Sequence, residues 1–113
     1  TELIGPFQQF SKEMGKRVAV LIFGSFARGS ETTESDIDIM LLGEKIDQKK
    51  VERISEECFV TVKNRLSMRI LPEKEFIHSL KRKDAFAWQV ENNHIIIAGA
   101  LHWIELMKRS QNL

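Results

Sequence analysis

The sequence predicts an α/β domain in which helices pack against a mixed β-sheet. Short apolar runs of strand length alternate along the chain with longer segments whose apolar residues recur every three or four positions, which is typical of amphipathic helices. Strands and helices that alternate in this way form layered α/β folds. With 113 residues, the chain has the length of a single domain with one hydrophobic core.

The composition is that of an ordinary globular domain. Apolar residues make up 42% and charged residues 29% of the chain, and the net charge of +1 argues against a strongly basic nucleic-acid-binding protein. The single cysteine, Cys58, excludes an internal disulfide framework and fits a reducing cytoplasm, and no apolar run is long enough to span a membrane. Because the chain begins at Thr1 rather than at a methionine, residues 1–113 could be one domain of a longer protein.

The first half of the chain predicts one helix and two strands. Residues 2–14 have apolar residues at helical spacing, with Pro6 tolerated in the first turn and Gly15 at the end. Residues 18–23 are apolar without alternation, which indicates a strand covered on both faces. A second apolar run predicts another strand over residues 36–42.

The middle of the chain predicts a helix, a strand and the start of a further helix. Asp47 can cap a helix over residues 48–63, where apolar residues recur at helical spacing. Polar and apolar residues then alternate over residues 65–71, which predicts a half-exposed strand. Pro72 is expected to begin the next helix, because the first helical position does not require the N–H group that proline lacks.

The C-terminal third is predicted to contain two helices separated by a strand. These elements are expected over residues 85–91, 94–98 and 100–109. Asp84 can cap the first of them, in which Phe86 and Trp88 are expected to be core residues. The final helix carries Leu101, Ile104 and Met107 at helical spacing.

Asp36 and Asp38 are candidate metal ligands. Side chains alternate along a strand, so both carboxylates would project from one face, about 6.6–7 Å apart along the chain. Two carboxylates on one face repel each other unless a cation lies between them, and carboxylate oxygens suit hard cations such as Mg²⁺. Taken alone, the Asp-x-Asp pattern fits an exposed strand edge, kept soluble by two acidic residues, better than it fits a metal site.

The segment between the first two strands has features of a phosphate-binding turn. Gly24 allows a sharp turn and a close approach of the backbone to a ligand. Ser25 stands where a short helix could begin, so its hydroxyl and the free N–H groups could meet a phosphate. Arg28 adds a bidentate phosphate donor, and Gly29 lets the chain turn back. A turn with a serine N-cap is the simpler alternative, and the P-loop signature Gly-Lys-Ser/Thr is absent from the sequence.

Considered together, these pieces resemble the signature of the nucleotidyltransferase superfamily that includes DNA polymerase beta. The spacing matches without insertion or deletion across Gly24-Ser25, Arg28-Gly29 and Ser35-Asp36-Ile37-Asp38. The chain is most similar to the small stand-alone members called minimal nucleotidyltransferases, many of which are antitoxins paired with HEPN-domain toxins. This resemblance implies a nucleotidyltransferase-type fold over residues 1–113, with the two motif strands at the centre of the sheet.

The resemblance also implies a reaction and a set of site residues. The reaction would be an in-line attack of an acceptor hydroxyl on the α-phosphate of a nucleoside triphosphate, with ATP as the family's usual donor and pyrophosphate as the leaving group. The implied catalytic and Mg²⁺-ligating residues are Asp36 and Asp38. The implied nucleotide-binding residues are Gly24, Ser25, Arg28, Gly29 and Ser35. In this scheme Arg28 either offsets the charge of the phosphates or braces the loop.

One expected residue is missing from this pattern. Active members of the superfamily usually carry a third carboxylate on a later strand, and the polar face of residues 65–71 offers Ser67 at that place, next to Arg69. A hydroxyl is a poor metal ligand, and a guanidinium would repel a cation. Three interpretations remain open: Glu57 supplies the acid, the enzyme works with one metal, or the domain binds a nucleotide or a partner without transferring anything.

The last interpretation would make this domain an interaction module that partners a toxin or forms part of a larger regulator. Its possible protein partners are a HEPN-type toxin and a second copy of itself. Such a module would expose an apolar surface to its partner. The candidates for this surface are Phe7, Phe10 and residues 100–107.

Overall fold

The computed structural model describes residues 4–13, 17–24, 36–62 and 66–111. Within these residues there are four strands and five helices, in the order that the sequence predicts. In chain order they are α1 (Ile4–Glu13), β1 (Val18–Phe23), β2 (Ile37–Gly43), α2 (Gln48–Val62), β3 (Leu66–Leu71), α3 (Glu73–Arg82), α4 (Ala85–Asn92), β4 (Ile95–Ala98) and α5 (Ala100–Gln111). None of the described helices is long and apolar enough to cross a membrane.

The four strands form one mixed sheet in the order β3-β2-β1-β4. Strand β1 is antiparallel to both β2 and β4, whereas β2 and β3 are parallel. The two motif strands, β1 and β2, therefore lie at the centre of the sheet, and the fold class predicted from the sequence is confirmed.

Strand β1 is buried on both faces, as its unbroken apolar run predicts. Val18, Val20 and Ile22 contribute to one apolar cluster, while Ala19 and Leu21 contribute to a second cluster on the other face. This division follows from the alternation of side chains along a strand. A strand of this kind has no polar face to expose, because helices cover both sides of the sheet.

The first cluster lies between the sheet and the helices α1 and α2. Phe7 and Phe10 of α1 are only 0% and 1% exposed, and Val51 and Ile54 of α2 pack beside them. Phe7 and Phe10 therefore belong to the core, and the expectation that they could form a partner surface is wrong. The ion pair of Arg53 with Glu13, at 3.1 Å, joins the two helices at their exposed side.

The second cluster lies between the opposite face of the sheet and the helices α3, α4 and α5. Its helical members include Phe76, Val90, Trp103 and Leu106. The rings of Phe76 and Trp103 pack with their centroids 5.7 Å apart. Burial of one large apolar side chain contributes about 1.5–3 kcal/mol to folding, so both faces of the sheet contribute substantially to stability.

The helix starts follow the predicted capping residues, with one shift. The Asp47 carboxylate accepts a hydrogen bond from the Lys49 N–H at 2.9 Å, and Asp84 accepts one from the Ala87 N–H at 2.9 Å. Pro72 is the N-cap of α3 rather than its first helical residue. The shift is small because proline fits either position, both of which lack a helical partner for the N–H.

One expectation about apolar side chains in the C-terminal third is wrong. Trp88 is 61% exposed and is not a core residue, because α4 turns Ala87 and Val90 towards the sheet. In α5 the buried residues are Trp103 and Leu106, which lie one turn apart. The apolar stripe read from the sequence is therefore largely on the outer side of this helix, with Leu101 84% and Ile104 49% exposed.

A few sequence predictions fall outside the part of the chain that the structure describes. These concern Gly15 as a helix end, Arg65 as a strand start, and the side chain of Cys58.

Candidate nucleotide site

The described residues of the predicted site, Gly24, Asp36, Asp38 and Ser67, lie at one end of the sheet. Because β1 is antiparallel to β2 and β2 is parallel to β3, the end of β1 meets the beginnings of β2 and β3. In the pairing register Phe23 lies opposite Asp38, and Asp38 lies beside Ser67. We call this end of the sheet, at Phe23, Asp38 and Ser67, the site end, and the end at Val18, Gly43 and Leu71 the distal end.

Gly24 lies directly against the carboxylate of Asp38. Its φ angle is +73°, a conformation that side-chain-bearing residues rarely adopt. A Cβ atom at this position would also overlap with Oδ2 of Asp38. The backbone angle favours glycine here, and the absence of a side chain leaves room for the Asp38 carboxylate in this position.

The two aspartates differ in how firmly the fold places them. Asp38 lies within β2, and its side chain is partly exposed on the face of α3, α4 and α5, because Ile37 and Ile39 occupy the other face. Asp36 precedes the first residue of β2 and is exposed. Strand alternation therefore fixes the direction of Asp38, while Asp36 lies just outside the sheet.

Ser67 is the cross-strand neighbour of Asp38 and is exposed to solvent. The residues of β3 that share this face are Ser67, Arg69 and Leu71, so β3 offers no carboxylate to Asp38. Glu57 does not replace it, because α2 packs against the opposite face of the sheet and the Glu57 carboxylate lies 3.9 Å from the Arg53 guanidinium. The acid expected at the third position therefore has no substitute from α2.

Sequence reasoning missed an aromatic and cationic cluster beside Asp38. The rings of Phe23 and Phe86 meet edge to face, with centroids 6.3 Å apart. The guanidinium carbon of Arg69 lies 4.4 Å from the centroid of the Phe86 ring, in cation–π geometry. The alternation of polar and apolar residues predicted that Ser67 and Arg69 lie on one face of β3. The contact of Arg69 with Phe86 in α4 could not be predicted in this way, because it depends on packing between distant parts of the chain.

A second charged cluster lies at the distal end. Glu73, at the start of α3, accepts hydrogen bonds from His102 at 2.5 Å and from Arg109 at 2.7 Å, and its own N–H donates to Glu44 at 3.2 Å. Burial raises the pKa of the Glu73 carboxyl, but hydrogen bonds and charge from Arg109 and His102 outweigh this effect and hold the pKa below its usual value. This cluster is internally paired and connects α3 to α5.

The donor set at the site end fits Mg²⁺ better than a softer metal. Within the described residues, no group of three or more His, Cys, Asp and Glu side chains could hold a metal ion. The two carboxylates of Asp36 and Asp38 remain, and Mg²⁺ is commonly bound by one or two carboxylates together with waters and substrate phosphates. The other predicted nucleotide-binding residues, Ser25, Arg28, Gly29 and Ser35, lie outside the described residues.

Comparison with known proteins adds a family match and a fold match. The sequence profile of the polymerase beta nucleotidyltransferase family matches residues 7–100. A protein of Methanocaldococcus jannaschii, provisionally named a protein adenylyltransferase, is 50% identical over 34 residues, which is 30% of this chain. The match spans 34% of that relative's length, about a third.

Two crystal structures of toxin–antitoxin complexes contain chains with a similar fold. One was determined with AMP-PNP, and the other is a variant of the MntA–HpeT pair in which two aspartates, two positions apart, are replaced by glutamate. In each case the identity is 14%, the match covers 96% of this chain and 87% of the other, and the TM-score is 0.56. At this identity the likeness concerns the fold.

Proposed function

The chain belongs to the polymerase beta nucleotidyltransferase family, and we propose that it transfers a nucleoside monophosphate from a nucleoside triphosphate, with ATP as donor, to an acceptor hydroxyl. The observation that carries this proposal is the junction of β1 and β2, where the Gly24 backbone lies against the Asp38 carboxylate. The contact of a glycine that permits close approach to a phosphate with a carboxylate suited to a cation supports the proposal.

The proposed reaction joins the acceptor oxygen to the α-phosphorus and breaks the bond between that phosphorus and the bridging oxygen of pyrophosphate. The Gly24 backbone and Ser25 would bind the β- and γ-phosphates, with Arg28, Gly29 and Ser35 completing the nucleotide site. Asp36 and Asp38 would hold Mg²⁺, which when bound would orient the triphosphate and reduce its negative charge. Most of the rate would come from positioning and charge stabilisation.

The similar chains support the same scheme and extend it to a partner. A chain with this fold was crystallised in a toxin–antitoxin complex with an ATP analogue, and another carries replacements at two aspartates with the spacing of Asp36 and Asp38. The resemblance to minimal nucleotidyltransferases points to a HEPN-type toxin as the protein partner, in the cytoplasm. The adenylyltransferase relative supports a protein as acceptor, although the match covers only 34% of its length.

Calorimetric titration with ATP, in the presence and absence of Mg²⁺, tests this function without knowledge of the acceptor. We expect the wild type to bind ATP only when Mg²⁺ is present. Ser67→Asp should bind Mg-ATP more tightly, because a carboxylate at Ser67 would lie beside Asp38 and add a ligand for the cation. If neither protein binds Mg-ATP, the nucleotidyltransferase proposal is wrong.

A second candidate function is that of a partner-binding module without transferase activity. The supporting observation is the outer side of α5, where Leu101 is 84% and Ile104 is 49% exposed, one helical turn apart. Large apolar side chains exposed together are typical of protein interfaces. Co-expression with the protein encoded beside it, for the wild type and for Leu101→Glu, would test this; a wild-type protein that stays monomeric and binds Mg-ATP tightly would contradict it.

A further inference from the structure

Arg69 occupies an unusual position for a cation. It lies on β3 two residues after Ser67, on the same face of the sheet as Asp38. Its side chain is exposed, and its guanidinium carbon lies 4.4 Å from the centre of the Phe86 ring. Within the described part of the chain, no acidic side chain forms an ion pair with Arg69.

The aromatic contacts connect this guanidinium to the site end. Phe86 touches Phe23 edge to face, and Phe23 lies directly opposite Asp38 in the β1–β2 register. A guanidinium held over an aromatic face keeps its positive charge, and its N–H groups can still bind an anion. Phe86 therefore holds a positive charge beside the row of residues Phe23, Asp38 and Ser67, without neutralising it.

We infer that Arg69 supplies the positive charge that would otherwise require a second divalent cation at the Ser67 side of the site. The site would then bind a nucleoside triphosphate with one divalent cation and one guanidinium. This inference rests on the proposed function, because it assigns a role to Arg69 within the same nucleotide site.

Charge considerations favour this arrangement over a site with two metals. The two carboxylates of Asp36 and Asp38 balance the charge of one divalent cation. A second divalent cation beside Arg69 would be repelled by the guanidinium, and β3 has no carboxylate to offset this repulsion. A guanidinium binds phosphate oxygens with two parallel hydrogen bonds in a fixed geometry. Arg69 can therefore neutralise phosphate charge permanently, whereas a metal must be recruited with each nucleotide.

The test counts the cations and measures the affinity separately. The probes are Mn²⁺, counted by electron paramagnetic resonance, and AMP-PNP, titrated calorimetrically. We expect one Mn²⁺ per protein–AMP-PNP complex in the wild type. Arg69→Gln should weaken AMP-PNP binding about tenfold or more, and the double variant Ser67→Asp/Arg69→Gln should bind two Mn²⁺ ions. Phe86→Leu keeps the charge of Arg69 but removes the aromatic ring that it contacts, and should weaken AMP-PNP binding by a smaller factor.

Arg82→Gln is the matched control, because Arg82 is an arginine paired with Asp84 at 3.1 Å, outside the proposed site. It should leave both the affinity and the Mn²⁺ count unchanged. Two Mn²⁺ ions in the wild-type complex, or wild-type affinity in a folded Arg69→Gln, would overturn the role of Arg69 while leaving the nucleotidyltransferase proposal intact. Absence of AMP-PNP binding by the wild type would overturn both.

Discussion

The two ends of the sheet carry charges of different kinds. At the distal end, the Glu73 carboxylate accepts hydrogen bonds from His102 and Arg109, so its charge is balanced within the protein. At the site end, Asp36 is exposed, and the Arg69 guanidinium contacts the Phe86 ring instead of forming an ion pair with an acidic side chain. The comparison separates charges that stabilise the fold from charges that remain available to a ligand.

The same contrast extends to the glycines with positive φ. Gly24, at the site end, has a φ of +73°, and Gly99, at the distal end, has a φ of +74°. A Cβ on Gly24 would meet a carboxylate, which can rotate, whereas a Cβ on Gly99 would meet the backbone of β1. At the distal end, Gly99 allows close packing of the backbone against β1. At the site end, Gly24 leaves room for the Asp38 carboxylate.

The largest expected effect is the loss of nucleotide binding in Asp38→Asn. Asparagine keeps the shape of the side chain but removes the charge that would attract Mg²⁺, so the affinity for Mg-AMP-PNP should fall on the order of 100-fold. Calorimetric titration measures this change, and circular dichroism checks the fold. Glu56→Gln is the control, because Glu56 lies on the exposed side of α2, and this variant should bind Mg-AMP-PNP with wild-type affinity. Unchanged binding in Asp38→Asn would falsify the metal-site assignment.

Replacing each of the two glycines with alanine should separate an effect on the stability of the fold from an effect on nucleotide binding. Gly99→Ala should lower the free energy of unfolding by about 2–4 kcal/mol, because the left-handed angle and the backbone of Val18 both oppose a Cβ. Gly24→Ala should cost about 1–2 kcal/mol and should also weaken Mg-AMP-PNP binding by displacing Asp38. Urea unfolding and calorimetry measure the two quantities. If the folded Gly24→Ala and Gly99→Ala variants bind Mg-AMP-PNP with equal affinity, the two ends of the sheet do not differ in their effect on nucleotide binding.

Most of the fold could be predicted from local sequence patterns. The unbroken apolar run of β1, the alternation in β3 and the capping residues Asp47 and Asp84 each depend on nearby residues, and the structure places these elements where they were expected. The phase of α5 could not be predicted, because Leu101, Trp103, Ile104, Leu106 and Met107 form two overlapping apolar stripes. Only the contact with the sheet decides which stripe is buried.

The candidate site shows the same limit. Residue types, their spacing and the family resemblance singled out Gly24, Asp36 and Asp38 as candidate site residues, because the motif is continuous in sequence. It also placed Ser67 and Arg69 on one strand face, since alternation is a local property. The stacking of Arg69 on Phe86 joins β3 to α4, and no local signal distinguishes Phe86, which makes this contact, from Trp88, which is 61% exposed.

At the distal end, Glu73→Gln should destabilise the fold without affecting binding. The amide loses the charge that pairs with His102 and Arg109, and the free energy of unfolding should fall by about 2 kcal/mol. Glu75→Gln, in the same helical turn but exposed, should change it by less than about 0.5 kcal/mol. Urea unfolding compares the two variants, and the titration with Mg-AMP-PNP should give wild-type affinity for both. Equal stability of the two variants would show that the pairing of Glu73 contributes little.

The smallest expected effect is the pH dependence of that same contribution. The pKa of Glu73 is lower in the folded protein than the ordinary value of 4.5, so the folded state binds this proton less readily than the unfolded state. The stabilisation is therefore fully present above the ordinary pKa and is lost as the pH falls through the lower folded-state value. The difference in unfolding free energy between the wild type and Glu73→Gln should shrink as the pH falls below about 4.5. A difference that stays constant through this acid range would mean that the pairing does not depend on the charge of Glu73.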